Sequence, residues 1–299
     1  MKTVLIGAVH TTRMILETMI EMNFPISYVF SLDEKYSNNV SGYDPFHEVA
    51  EKNGIPFKTF RKINDEENVK IIQELEPDYI FVIGISQLVS KAIIDSAKIG
   101  CVGFHPAPLP KFRGRASNVW QHLLGVKESK CTLFFIDEGV DSGDILGQET
   151  YYIKDGDYAQ DVYDSICDAE YRLVKKVLQQ IMDGTIKPVK QDESEATYTL
   201  KRIPEDGLID WNLPIDQLHL FIRAISRPYP GAYSMYDGKN KVIIFRAEVL
   251  ENNKYIGFNG QIAKIHKDYF DIVCKDGLLR VTDFENVDDV KLIEGHRFK

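Results

Sequence analysis

An α/β chain, with a mostly parallel sheet and a smaller β-rich domain after it, is predicted by three observations. Strand-like apolar runs alternate with helical periodicity through the first part of the chain, the pattern of a helix-flanked parallel sheet. Cys101-Val-Gly-Phe104 reads as a buried strand that stops at His105, because Pro106, Pro108 and Pro110 cannot continue a central strand. Beyond residue 205 the pattern changes to short strand candidates divided by Asp-Gly, Asn-Gly and Lys-Asp-Gly turns.

Taken in order, residues 4–9, 26–30 and 79–85 read as strands, and residues 13–22, 46–53 and 66–75 as helices between them. The resulting sheet is Rossmann-like, but Gly7-Ala-Val-His-Thr-Thr12 lacks the GxGxxG turn, so a nicotinamide cofactor is not supported. Residues 132–136 give another strand. A long helical pattern from 157 to 183 runs out at Gly184. Residues 190–201, with Gln-Asp-Glu-Ser-Glu at the centre, are polar and read as a linker. Strand candidates at 242–249, 260–266, 270–274 and 279–283 suggest an OB-like β domain. The expected organisation is therefore a catalytic domain at 1–189, a linker at 190–204 and the β domain at 205–299.

In open parallel sheets, ligands bind just outside the carboxyl ends of the strands. His105 is expected at such an end, and Asp141 lies in the Gly/Asp-rich loop after strand 132–136. The two strand ends would bring imidazole and carboxylate together, which fixes the tautomer of a histidine and favours its charged form. Lys111, Arg113 and Arg115 alternate through the loop after His105 and suit phosphate binding by charge-assisted hydrogen bonds. His10, just past the first strand, is a further loop group that would face substrate.

His105-Pro-Ala-Pro-Leu-Pro-Lys-Phe-Arg-Gly114 and Asp137-Glu-Gly-Val-Asp-Ser-Gly-Asp144 resemble the HxxLLPxxRG and DxGxDxGD loops of the 10-formyltetrahydrofolate-dependent formyltransferases. That family includes enzymes acting on methionyl-tRNA, on glycinamide ribonucleotide and on nucleotide-linked amino sugars. A second block, from Arg202-Ile-Pro-Glu-Asp-Gly-Leu-Ile-Asp-Trp211 to Arg227-Pro-Tyr-Pro-Gly231, resembles the junction to the C-terminal domain in the tRNA and sugar branches. The resemblance implies 10-formyltetrahydrofolate as co-substrate, His105 and Asp141 as catalytic residues, and folate contacts from Ser86, Gln87, Leu88, Asp137, Gly139 and Asp141. It also implies substrate contacts from His10, Lys111, Arg113 and Arg115. A homodimer through the C-terminal region is consistent with it. One departure stands out: the family has Asn-x-His where this chain has Gly103-Phe-His105. Losing one side-chain donor to an oxyanion typically costs about 10²–10³ in rate. Gln87, Asn118, Ser117 or a backbone N–H near Gly103 are the stand-ins, and the sequence does not choose among them.

At 299 residues the chain has room for two domains, and 44% hydrophobic residues supply their cores. Cysteines 101, 131, 167 and 274 show no CxxC spacing, so no metal is implied and a reducing compartment fits. With no signal-peptide pattern and no apolar run of ~20 residues, a cytoplasmic location without a membrane span is expected. Charge separates the acceptors. A tRNA enzyme needs cationic surface, yet the net charge is −9, and residues 205–299 hold 13 Lys+Arg against 15 Asp+Glu. The reading is therefore a UDP- or dTDP-linked amino-dideoxy sugar as acceptor, for surface glycan biosynthesis, with no nucleic-acid partner. The rivals are methionyl-tRNA formylation, formyl-folate hydrolysis, or a non-catalytic ligand-binding role that Gly103 would permit.

Overall fold

The computed structural model describes residues 1–38, 40, 42–85, 87–252 and 254–299. In chain order its elements are β1 (Thr3–Gly7), α1 (His10–Glu21), β2 (Tyr28–Leu32), α2 (His47–Lys52), β3 (Phe57–Phe60), α3 (Glu66–Leu75), β4 (Tyr79–Ile83), α4 (Lys91–Ile94) and β5 (Gly100–His105). Next come β6 (Arg113–Gly114), α5 (Ser117–Leu123), β7 (Glu128–Phe135), β8 (Ile145–Tyr152), α6 (Ala159–Met182) and β9 (Tyr198–Thr199). The chain ends with α7 (Ile215–Ile225), β10 (Ala232–Tyr236), β11 (Asn240–Leu250), β12 (Ile262–Ile265), β13 (Phe270–Val273) and β14 (Leu278–Asn286). Two compact units form: Met1–Ser117 with Glu128–Tyr152 and Asp164–Leu200, and Asn118–Lys127 with Ile153–Tyr163 and Lys201–Lys299.

The first unit holds a seven-stranded sheet in the order β3-β2-β1-β4-β5-β7-β8. Strands β1 to β5 pair in parallel, whereas β7 runs antiparallel to β5 and β8 antiparallel to β7. The central strands are covered on both faces, which is why Val4, Leu5 and Ile6 are a continuous apolar run with no exposed surface. Helix α1 contributes Ile15, Leu16 and Met19 to the buried core. Strands β3 and β8 are absent from the sequence reading. Phe-Lys-Thr-Phe is short, and β8 mixes Gly, Gln, Glu and Thr along an edge that is mostly half-buried, so neither shows the apolar run of an inner strand.

The second unit has a five-stranded antiparallel sheet ordered β10-β11-β14-β13-β12. The chain end stitches its two edges: Phe298 bridges Tyr236 of β10, and Arg297 bridges Gln261 just before β12. Closing the edges in this way gives the barrel-like character expected of the region and leaves few unpaired strand groups. Helix α7, also unforeseen, buries Ile215, Leu218, Ile222 and Ile225 at helical spacing. Among the described residues no helix is long and apolar enough to cross a membrane.

Candidate active site

His105 is the last residue of β5 and only 6% exposed. Its Nε2 lies 2.7 Å from the Phe112 carbonyl oxygen. A carbonyl can only accept, so this contact puts a proton on Nε2. The other ring nitrogen, Nδ1, faces Asp141 Oδ2 at 3.7 Å. That same oxygen accepts the Gly114 N–H at 2.7 Å, and Asp141 itself sits in the left-handed region at φ +51°.

Imidazole and carboxylate do meet, but not because two strand ends coincide. Strand β7 runs opposite to β5, so Thr132 is level with His105 while Phe135 is level with Val102. The loop after β7 therefore starts below the histidine and folds back toward it. Asp137 shapes that loop. Its Oδ1 accepts from Gly139 N–H at 3.0 Å and from Ser142 Oγ–H at 2.8 Å, which builds the turn.

Gly103 lies on the same face of β5 as His105. A Cβ there would come within 2.9 Å of Ile136 Cγ1 and 3.1 Å of the Phe134 ring. Phe134 is the residue directly across the strand pair from Gly103. Two apolar side chains thus occupy the space that an asparagine would need.

The proposed stand-ins are mostly committed elsewhere. Gln87 donates to the Arg61 carbonyl at 2.8 Å and accepts the Ile63 N–H at 2.9 Å, which pins two loops. Asn118 donates to the Tyr229 hydroxyl at 2.6 Å and accepts from Val119 N–H at 2.9 Å. Ser117 is buried. Ser86 lies outside the described residues. Leu88 is 89% exposed and, with Tyr36, Arg61, Lys62 and Gln87, lines a groove of about 610 Å³.

The three cations of the loop have three different fates. Arg113 is 1% exposed and forms a bidentate pair with Glu193, 2.8 and 2.7 Å, while also donating to Gln191 Oε1 and Tyr198 Oη. Its hydrogen bonds to Glu193 hold the guanidinium above its ordinary value. The expectation that Arg113 grips a phosphate is corrected: every face of the fork is spent inside the protein. Lys111 is exposed and pairs loosely with Glu195 at 3.5 Å, and Arg115 is exposed. His10, at the start of α1, is 61% exposed with Nδ1 3.4 Å from Asp44 Oδ2.

Residues 190–200 correct the linker reading, because β9 and its approach are built into the first unit. Most of their polar side chains are exposed, and in that setting sequence reasoning missed Gln191, which is 5% exposed. Three of the four cysteines are buried, and among the described residues no cluster of three His, Cys, Asp or Glu could hold a metal ion.

Comparison with known proteins finds two family models matched in chain order. The "Formyl transferase" family model covers residues 2–178, and the "Formyl transferase, C-terminal domain" model covers residues 201–292. A methionyl-tRNA formyltransferase of Citrifermentans bemidjiense is 31% identical over 241 residues, 81% of this chain and 74% of that protein. Among solved structures, HypX from Aquifex aeolicus in complex with tetrahydrofolic acid has a TM-score of 0.70 at 18% identity, and the chain, 95% covered, spans only 44% of that longer protein. The N-formyltransferase from Helicobacter canadensis, solved with folinic acid and dTDP-3-aminofucose, has a TM-score of 0.65 at 22% identity, over 95% of this chain and 100% of that one. The likeness to these structures is one of fold. With both family models matched along most of its length, the chain belongs to the formyl transferase family and is a transferase that uses 10-formyltetrahydrofolate.

Proposed function

We propose that this formyltransferase acts on the amine of a nucleotide-linked amino sugar, with His105 and Asp141 as its catalytic residues. Charge carries the acceptor reading. A chain of net charge −9, with an acidic excess over residues 205–299 as well, offers little to neutralise the phosphates of a tRNA. A sugar diphosphate needs only a few local cations, and Lys111 and Arg115 present them on the exposed side of the loop that follows His105. The dTDP-3-aminofucose in the Helicobacter canadensis structure supports the same reading.

10-Formyltetrahydrofolate supplies the activated formyl carbon. The groove of Tyr36, Arg61, Lys62, Asp65 and Leu88 suits such a molecule: its volume of about 610 Å³ falls within the ordinary range of ligand pockets, Leu88 offers an exposed apolar face, and Arg61 and Lys62 outnumber Asp65 for a glutamate tail. His105 has Nε2 committed to Phe112, so Nδ1 is the atom left to exchange a proton, and Asp141 faces it. The pair takes the proton shed by the attacking amine and returns it to the departing folate nitrogen, directly or through a water. Gly103 contributes no side-chain donor.

A second reading rests on sequence: the 31% identity to a methionyl-tRNA formyltransferase. One experiment separates the two. Purified protein is incubated with 10-formyltetrahydrofolate and UDP- or dTDP-linked amino sugars, with methionyl-tRNA and with no amine, and product masses are followed. One formyl group gained on an amino sugar supports the proposal. Formylated tRNA, or folate turnover without any amine, overturns it.

A further inference from the structure

Residues 189–199 form a strap that ties together the two loops holding His105's partners. At its start, Ile145 and Val189 exchange two backbone hydrogen bonds of 2.8 Å. At its end, Arg113 and Arg115 donate their N–H groups to the carbonyls of Thr197 and Thr199 at 2.9 and 3.1 Å, and the Phe112 N–H reaches Thr197 Oγ1 at 2.9 Å. Phe112 is the residue whose carbonyl fixes His105 Nε2.

Between these anchors lies Gln191. Its Nε2 donates to the carbonyls of Asp141 at 2.8 Å and Gly143 at 2.7 Å, and its Oε1 accepts from Arg113 Nε at 3.2 Å and Nη2 at 2.8 Å. This buried amide has only one orientation that works. Flipped, its oxygen would point at two carbonyl oxygens and its NH₂ at a guanidinium. Arg113 in turn is clamped by Glu193, so the amide is held from behind as it holds Asp141.

We propose that Gln191 is a positioning residue of the transfer reaction: it fixes the backbone of Asp141 so that the carboxylate stays opposite His105. The inference rests on the assignment of His105 and Asp141 as the catalytic pair. Gln191 bonds the Asp141 backbone and not the imidazole, and it acts on the carboxylate through that backbone. A misplacement of about 1 Å in a catalytic group can cost on the order of 10²-fold in rate.

The test compares full-length wild type, Gln191→Glu, Gln191→Met and His105→Ala with whichever acceptor the wild type formylates. Gln191→Glu keeps an acceptor for Arg113 but sets an oxygen against the carbonyls of Asp141 and Gly143; Gln191→Met removes both halves of the bridge. For each variant kcat, the two KM values, the melting curve and the pH–rate profile are measured. The expected result is that kcat per folded molecule falls by about 10- to 10²-fold in both Gln191 variants, with KM values changed by less than about threefold and the pH–rate limb of the His–Asp pair displaced. Wild-type kcat and pH profile in either variant, or a loss that only tracks the unfolded fraction, overturns the inference. Should Gln191→Glu fail to fold, Gln191→Asn, which keeps the amide one methylene short of the carbonyls, is read by the same split. Full turnover in His105→Ala is a separate failure, of the catalytic assignment itself.

Discussion

Asp141 Oδ2 stands 3.7 Å from His105 Nδ1 while the Gly114 N–H holds that same oxygen at 2.7 Å. The carboxylate is thus anchored by backbone and presented to the imidazole, on a loop that folds back from a strand running the wrong way to deliver it.

Replacing His105 by Ala or Asp141 by Asn is expected to lower kcat by about 10²–10⁴, the ordinary contribution of a positioned acid–base group. KM for folate should move little. Steady-state kinetics with the formylated acceptor check it, and a kcat within a few fold of wild type in His105→Ala would remove the histidine from the chemistry.

Gly103→Asn is expected to harm the protein, although it restores the family residue. Its Cβ would press on Ile136 Cγ1 and the Phe134 ring, and overpacking a filled site costs about 1–3 kcal/mol. Urea unfolding should show the loss, and kcat should not rise. Recovery of stability in Gly103→Asn combined with Ile136→Ala would identify Ile136 as the obstacle, whereas a stable, faster single variant would contradict the packing argument.

Arg113 and Arg115 should separate cleanly. Arg113→Lys loses the bidentate fork to Glu193 and the bonds to Gln191; with charge-assisted hydrogen bonds worth about 1.5–3 kcal/mol each, a destabilisation of about 2–4 kcal/mol is expected. Arg115→Ala leaves stability unchanged and raises KM for a diphosphate-bearing acceptor by about tenfold, the equivalent of roughly 1.4 kcal/mol. Paired melting curves and kinetics decide the matter. A KM effect confined to Arg113 would reverse the two roles.

Glu170 predicts a pH dependence of stability. It is fully buried in α6, neither carboxyl oxygen has a hydrogen-bond partner among the described residues, and burial pushes its pKa well above the ordinary value. Because the folded value is raised, this contribution is fully present below the unfolded pKa of about 4.3 and is lost as pH rises toward the folded value. Gln at this position does not titrate. Denaturation midpoints from pH 5 to pH 8 should fall less steeply in Glu170→Gln than in wild type, and parallel slopes would show that Glu170 is not the titrating group.

The local signals were strong where a residue's role follows from its own neighbourhood. Apolar runs announced β1, β2, β4 and β5, the prolines after His105 marked the end of β5, and the spaced Gly/Asp loop pointed to Asp141. Strand direction was not local. Nothing in residues 128–135 says that β7 runs against β5, because direction is set by which edge the chain returns to, and that decided how Asp141 reaches His105. Burial was not local either. Lys111, Arg113 and Arg115 look alike as a basic loop, and only the strap at 189–199 makes one a buried anchor and leaves the others exposed. The same holds for Gln191, whose polar surroundings read as solvent until tertiary folding placed Arg113 on one side of its amide and two carbonyls on the other. By itself the sequence determined the inner strands β1, β2, β4 and β5, the family resemblance and the catalytic candidates, since these depend on residue type and short spacing. Tertiary structure decided which polar groups are spent on one another, since a hydrogen bond between residues far apart in the chain exists only once the fold has brought them together.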